Sequence, residues 1–228
     1  WPDKDALSNL RYALSNLRQV IGDAESEPPF LLIERDTLRL NPASDWESDT
    51  RTFLALTDSN ELSALERAVA LYRGRFLEGF SVGGSAPFEE WVLVTQERLS
   101  RRLSEALRHL AAAYVERGDC ERALPHARRQ LELEPWDETA HQQLMQALAL
   151  GGERNAALAQ YEACRRILAR ELGIAPTAET TQLYSQIREG TLARRTEHSR
   201  SGTAVPPTPA LPPFLGMELE PPFQPAPF

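Results

Sequence analysis

Residues able to do bond-making chemistry are few and scattered. Histidines stand at 109, 126, 141 and 198 and cysteines at 120 and 164, with no His or Cys grouping at metal-ligand spacing. Surface or packing roles account for the histidines, and no metal or cofactor is expected. Cys120 falls at a predicted helix start, a position that can stabilise a thiolate, but a small residue beside a turn is the reading preferred. Glu89 and Glu90 adjoin Trp91. Neighbouring helical residues point apart, so these carboxylates make no acid–base pair. Neither a G-x-x-x-x-G-K-[ST] phosphate loop nor a G-x-S-x-G elbow occurs. The chain is not expected to be an enzyme.

One constellation does suit polar recognition. Residues 6–12 read ALSNLRY and residues 13–19 read ALSNLRQ, a near-duplication of seven residues. At about 100° per residue this puts Leu10, Leu14, Leu17 and Ile21 on one helical stripe, expected to face a core. Ser8, Tyr12, Ser15 and Gln19 lie opposite, flanked by Asn9, Arg11 and Asn16. Ser, Asn and Gln pair with base edges, and Tyr and Arg reach phosphates or bases. On pattern alone, the solvated side of an ordinary amphipathic helix is the simpler reading.

The elements that must position this face follow in order. Gly22 ends the helix. After a polar, Pro-containing stretch come FLLIE (30–34) and TLRLN (37–41), separated by Arg35 and Asp36. Two strands around a two-residue turn make a hairpin, although Arg-Asp is not a favoured turn pair. Arg35 at the tip is placed to meet a phosphate or a minor groove. Residues 42–190 then carry helical periodicity throughout. Helices are predicted at 47–57, 60–73, 88–117, 120–133, 137–150, 154–171 and 178–189. Trp46, Trp91 and Trp136 read as core anchors, Trp91 with apolar flanks Phe88, Val92 and Val94. Residues 191–228 hold 9 of the 17 prolines and read as an extended linker or tail.

Composition bounds these readings. Of 228 residues, 42% are hydrophobic and 25% charged, ordinary for a globular protein. A formal net charge of -8 argues against a polycation that coats nucleic acid. Residues 1–41 hold five Lys and Arg against seven acids. No apolar run is long enough to span a membrane. Two unclustered cysteines fit a reducing cytoplasm. The chain opens at Trp1 rather than Met and close to a helix, which reads as a truncated start.

An internal repeat organises the helical region. Leu107, Leu110, Ala111 and Tyr114 are followed by Ala123, Ala127 and Pro135 at 9, 13 and 21 residues beyond Tyr114. That is the tetratricopeptide spacing, without its consensus Trp and Gly. A shift of 34 residues gives Leu144, Met145, Leu148, Ala157 and Tyr161. Small residues let paired helices approach, and a stack of such hairpins presents a concave surface suited to another protein segment.

The stretches LYRGRFLEGF (71–80), PFEEWV (87–92) and QERLSRRL (96–103) resemble the bacterial transcriptional activator domain. So does QYEACRRILARELGIAPTAETTQLY (160–184), through Tyr161, Leu168, Glu171, Leu172, Gly173, Pro176, Leu183 and Tyr184. The resemblance covers about residues 45–189. It implies a regulator of the SARP type, in which an OmpR-type winged helix lies immediately upstream. ALSNLRYALSNLRQVIG and LLIERDTLRL are similar to the recognition helix and wing of that domain; its earlier strands and helices have no counterpart here.

The expected fold is mainly α: a tetratricopeptide-like array (42–190) preceded by a partial winged helix (1–41) and followed by a Pro-rich tail (191–228). The resemblance implies DNA binding by the intact protein through Ser8, Asn9, Arg11, Tyr12, Ser15, Asn16, Gln19 and Arg35. It implies partners among RNA polymerase, a second copy and other proteins, with no membrane. The Pro-rich exit suggests a downstream ATPase or sensor domain in the parent chain. A pure protein-interaction scaffold with no DNA role is the alternative, to be discriminated by the sequence upstream of Trp1.

Overall fold

The computed structural model describes residues 3–34 and 37–192. The chain divides into two compact units, Trp1–Thr52 and Phe53–Phe228.

The first unit is a helix followed by a hairpin. Helix α1 spans Asp3–Val20. It closes where the Asp23 and Gly22 N–H groups donate to the Arg18 and Gln19 carbonyls. Strands β1 (Leu31–Ile33) and β2 (Leu38–Leu40) pair antiparallel, with Leu31 opposite Leu40 and Ile33 opposite Leu38. The Glu34 N–H donates to the Thr37 carbonyl at 3.0 Å. Arg35 and Asp36, the predicted turn pair, lie outside the described residues, as do residues 193–228 of the predicted tail.

The second unit is helical. Helix α2 (Asp49–Thr57) crosses the divide between the units, and α3 (Leu62–Leu71), α4 (Ala86–Glu116), α5 (Cys120–Leu133), α6 (Glu138–Leu150), α7 (Arg154–Glu171) and α8 (Ala178–Glu189) follow. Each of α4 to α8 packs on the next. Helix α6 also touches α4 and α8, so these three form one row, with α5 and α7 in a second row. This is the stacking of helical hairpins expected from the 34-residue repeat.

The repeat has a physical basis at each marked position. Ala111, Ala123, Ala127 and Ala157 are fully buried, where a larger side chain would separate the paired helices. Gly118 and Gly152, one repeat apart, have φ of 72° and 91°. Each lets the following N–H reach back, Asp119 to the Tyr114 carbonyl and Glu153 to the Leu148 carbonyl. Asp119 and Asp137 then cap α5 and α6 through the Arg122 and Ala140 N–H groups. One core cluster includes Phe53, Leu65, Leu103 and Leu107; a second includes Met145, Leu148, Tyr161 and Ile187.

Candidate functional site

The seven polar side chains marked on α1 all lie exposed: Ser8, Asn9, Arg11, Tyr12, Ser15, Asn16 and Gln19. Tyr12 is 71% exposed. Their face is continuous along the helix. Arg18 is already engaged, its Nε 2.6 Å from Asp23 Oδ2. Among the described side chains of α1, Arg11 is therefore the cation available for a phosphate. Arg35 lies outside the described residues.

The apolar stripe does not behave as predicted. Leu10 is 61%, Leu17 43% and Ile21 36% exposed, and Leu14 is only half-buried. The expectation that this stripe faces a core fails for a simple reason. Within its own unit the hairpin strands are three residues each, too short to cover an 18-residue helix. What the unit does bury is a polar hinge between helix and hairpin.

Asp23 is the centre of that hinge. Its Oδ1 accepts the Leu31 N–H at 2.8 Å, and its Oδ2 accepts from Arg18. Burial pushes this carboxyl up, but the bonds from Arg18 and Leu31 outweigh it and leave it below the usual carboxylate value. Asn41 closes the other end. Its Nδ2 donates to the Pro29 carbonyl, and its own carbonyl accepts from Trp46 Nε1, both at 2.7 Å. The helix and hairpin are thus fixed by hydrogen bonds more than by apolar contact.

Polar side chains, some buried and others partly or fully exposed, also stitch the array together. Tyr114 donates to Glu66 Oε1 at 2.6 Å, and Arg122 bonds the same oxygen. The Tyr114 bond, opposed by burial and aided by Arg122, holds the Glu66 carboxyl below its ordinary value. His141 is buried, with Nε2 at 2.9 Å from the Pro135 carbonyl and Nδ1 at 2.6 Å from Gln160 Nε2. Burial lowers its pKa. Glu138, at the start of α6, accepts from the Thr177 N–H, the Thr177 hydroxyl and the Thr180 hydroxyl at the start of α8. Arg129 caps the end of α3 through the Val69 and Tyr72 carbonyls, and Arg154 caps α8 through those of Ile187 and Arg188.

The tryptophans depart from the core assignment in different ways. Trp91 is half-buried between Phe76 and Phe88, at ring distances of 5.5 and 5.6 Å. Val92 beside it is buried, but Val94 is 63% exposed. Trp46 is half-buried, with Arg51 over its ring. Trp136 is 47% exposed because it sits in the turn between α5 and α6 rather than on a packed helix face.

Cys120 occupies the first turn of α5, half-buried. Cys164 is buried, and burial raises its thiol to about 12, so it is a packing residue. His109 is exposed and His126 half-buried against the Tyr114 ring. Among the described residues, no cluster of His, Cys, Asp or Glu is placed to hold a metal, and no helix is long and apolar enough to cross a membrane. The cross-helix bonds of Glu66, Arg129, His141 and Glu138 were not anticipated. Their only sequence signal is a polar or charged residue within or beside a helical stretch.

Regulatory protein AfsR of Streptomyces griseus is 28% identical over 201 residues, which is 82% of this chain and 19% of that protein. This chain therefore spans about a fifth of that relative's length. The structure of Mycobacterium tuberculosis EmbR in complex with a low-affinity phosphopeptide is similar with a TM-score of 0.53 and 20% identity. The match covers 83% of this chain and 52% of that one, and supports the helical-repeat fold with its small winged-helix part. The bacterial transcriptional activator domain matches residues 49–188, which takes in α2 to α8 apart from the last residue of α8. By that match the chain belongs to the bacterial transcriptional activator domain family, a class of transcriptional regulator of the SARP type and not a class of enzyme.

Proposed function

We propose that this chain belongs to a DNA-binding transcriptional regulator. Residues 1–41 form the reading helix and wing, residues 42–190 contact protein partners, and residues 191–228 lead as a linker toward a further domain. The observation that carries this is the uninterrupted exposed face of Ser8, Asn9, Arg11, Tyr12, Ser15, Asn16 and Gln19 on α1, followed after a ten-residue connection by a hairpin. Ser15, Asn16 and Gln19 have the donors and acceptors that base edges require, and Arg11 suits a phosphate. Arg35 in the wing adds a second cation. Membership of a transcriptional activator family supports the same reading. The array would then contact RNA polymerase or a second copy of the chain, in the cytoplasm.

A scaffold with no DNA role is the second reading. Residues 1–41 carry five basic residues against seven acidic ones, whereas a complete DNA-binding module has a basic face. The two readings separate on selection of random duplex DNA by the full-length protein. Enrichment of one recurring sequence is expected. Recovery of no sequence above background favours the scaffold.

A further inference from the structure

Two turns at one end of the array display large apolar side chains. Leu133 is the last residue of α5, and Trp136 lies in the turn to α6. Leu172 caps α7, and Ile174 lies in the turn to α8. Trp136, Leu172 and Ile174 are 47%, 51% and 50% exposed, and Leu133 is 36% exposed. Glu138 draws the two turns side by side, since it accepts from the Thr177 N–H at 2.7 Å. Each turn is also fixed from within. The Pro135 carbonyl lies 2.9 Å from His141 Nε2, and the Ile174 N–H donates to the Leu168 carbonyl at 3.4 Å. Ser104 of α4 meets Glu134 at this level, 2.7 Å away, and residues 86–103 of the same helix run on past it for about 27 Å. The turns therefore lie at the foot of a step.

The same turns concentrate one sign of charge. Residues 132–139 and 170–179 hold Glu132, Glu134, Asp137, Glu138, Glu171 and Glu179 against Arg170 alone. Arg170 pairs with Glu171, and Arg108 from α4 lies 3.5 Å from Asp137. Among the described residues, Glu132, Glu134, Glu138 and Glu179 take part in no ion pair. On the step itself, Arg101 and Glu97 precede Ser104 at helical spacing, and their charges offset each other. Helices α5 and α7 end here while α6 and α8 begin, so their dipoles oppose. The carboxylates thus set the sign of this surface.

We infer that the α5–α6 and α7–α8 turns dock a partner protein's segment in which large apolar side chains are flanked by lysine or arginine. The apolar side chains cover Leu133, Trp136, Leu172 and Ile174, with Trp136 as the aromatic anchor. The basic flanks meet the carboxylates that have no partner of their own. Turns already fixed from within lose little freedom when they are covered. The same charge argues against other occupants. A second copy of this patch would set carboxylates against carboxylates, and a phosphate backbone or an anionic lipid surface would be repelled. The inference rests on the reading of the helical array as a protein-contacting domain and gives the chemistry of one partner. It does not depend on DNA binding by α1.

Fluorescence anisotropy with the full-length protein tests it. The probe is a labelled amphipathic peptide of leucine and lysine at helical spacing, beside a counterpart with glutamate in place of lysine. Thermal melts confirm that each variant folds. The lysine peptide is expected to bind, less tightly at high salt, and the glutamate peptide about tenfold more weakly or worse. Trp136→Ser and Ile174→Ser should each raise the Kd for the lysine peptide about tenfold or more. The double variant Glu132→Lys, Glu179→Lys should do the same and flatten the salt dependence. Glu116→Lys with Glu189→Lys, at the opposite end of the array, should change the Kd less than about twofold, because salt screens charges at that distance. A wild type that binds neither peptide, or both alike, overturns the inference. Binding that survives the turn substitutions also overturns it, while leaving a protein-contacting array whose site lies elsewhere. A wild-type dimer in sedimentation that Trp136→Ser abolishes would assign the patch to a second copy and overturn it too. Failure of α1 variants to read DNA would leave these results unchanged, so the two proposals fail separately.

Discussion

The Tyr114 hydroxyl donates to Glu66 Oε1 at 2.6 Å, tying α4 to α3, while Arg122 from α5 bonds the same carboxylate and lies 4.5 Å from the centre of the Tyr114 ring. Three helices meet at one ionised group. Tyr114→Phe keeps the ring and removes the donor, and should cost about 1 kcal/mol at neutral pH, since Glu66 is partly exposed. The bond lowers the Glu66 pKa from its ordinary 4.5, so its stabilisation is present above that value and is lost as pH falls through the folded-state value. Denaturant titrations of both proteins should therefore converge in acid. A gap that stays constant with pH contradicts this role for Glu66.

His141 gives a different acid response. Burial lowers its pKa below 6.5, so the folded protein disfavours the imidazolium. Below 6.5 the unfolded chain binds the proton first, and stability falls until pH passes the lower folded-state value. His141→Leu places there the residue type found one repeat earlier, at Leu107. The variant should lose less stability than the wild type between about pH 7 and about pH 5. An unchanged slope assigns the acid response to His126, whose pKa burial also lowers.

Ala123 and Ala157 occupy the same repeat position, and neither has any exposed surface. Ala123→Leu and Ala157→Leu should each destabilise by about 1–3 kcal/mol through overpacking. Urea denaturation measures this directly. A neutral effect at either position means that the paired helices have room to separate there.

Asp23 holds the hinge between α1 and the hairpin by accepting from the Leu31 N–H and Arg18. Asp23→Ala should abolish hydrogen-exchange protection of the Leu31 amide while leaving amides of α6 and α7 protected. Loss of protection in both regions instead would show that the hinge residue is needed by the whole chain.

The helical region was legible because its signals are local and repeated. Predicted helices at 120–133, 154–171 and 178–189 coincide with α5, α7 and α8; Gly118 and Pro135 bracket α5, and Gly152 precedes α7. The buried state of Ala111, Ala123 and Ala157 followed from spacing. The stripe on α1 was misjudged because periodicity reports which residues could share a core, not whether a cover exists. Trp136 misled for a related reason: residue size favours burial, but a turn position exposes it. The bonds of Glu138 to Thr177 and Thr180 span about forty residues, and nothing in the local sequence announces them.

DNA reading by α1 is tested most directly by the ratio of specific to random DNA affinity, taken across salt concentration, for the parent protein and a Tyr12→Ala, Ser15→Ala, Asn16→Ala variant. Base contacts discriminate between sequences, whereas phosphate contacts strengthen all binding and set the salt slope. The variant should lose its site preference, keep its affinity for random DNA and keep nearly the same salt slope. A parent protein with no salt-sensitive DNA binding, or a variant with undiminished site preference, contradicts it.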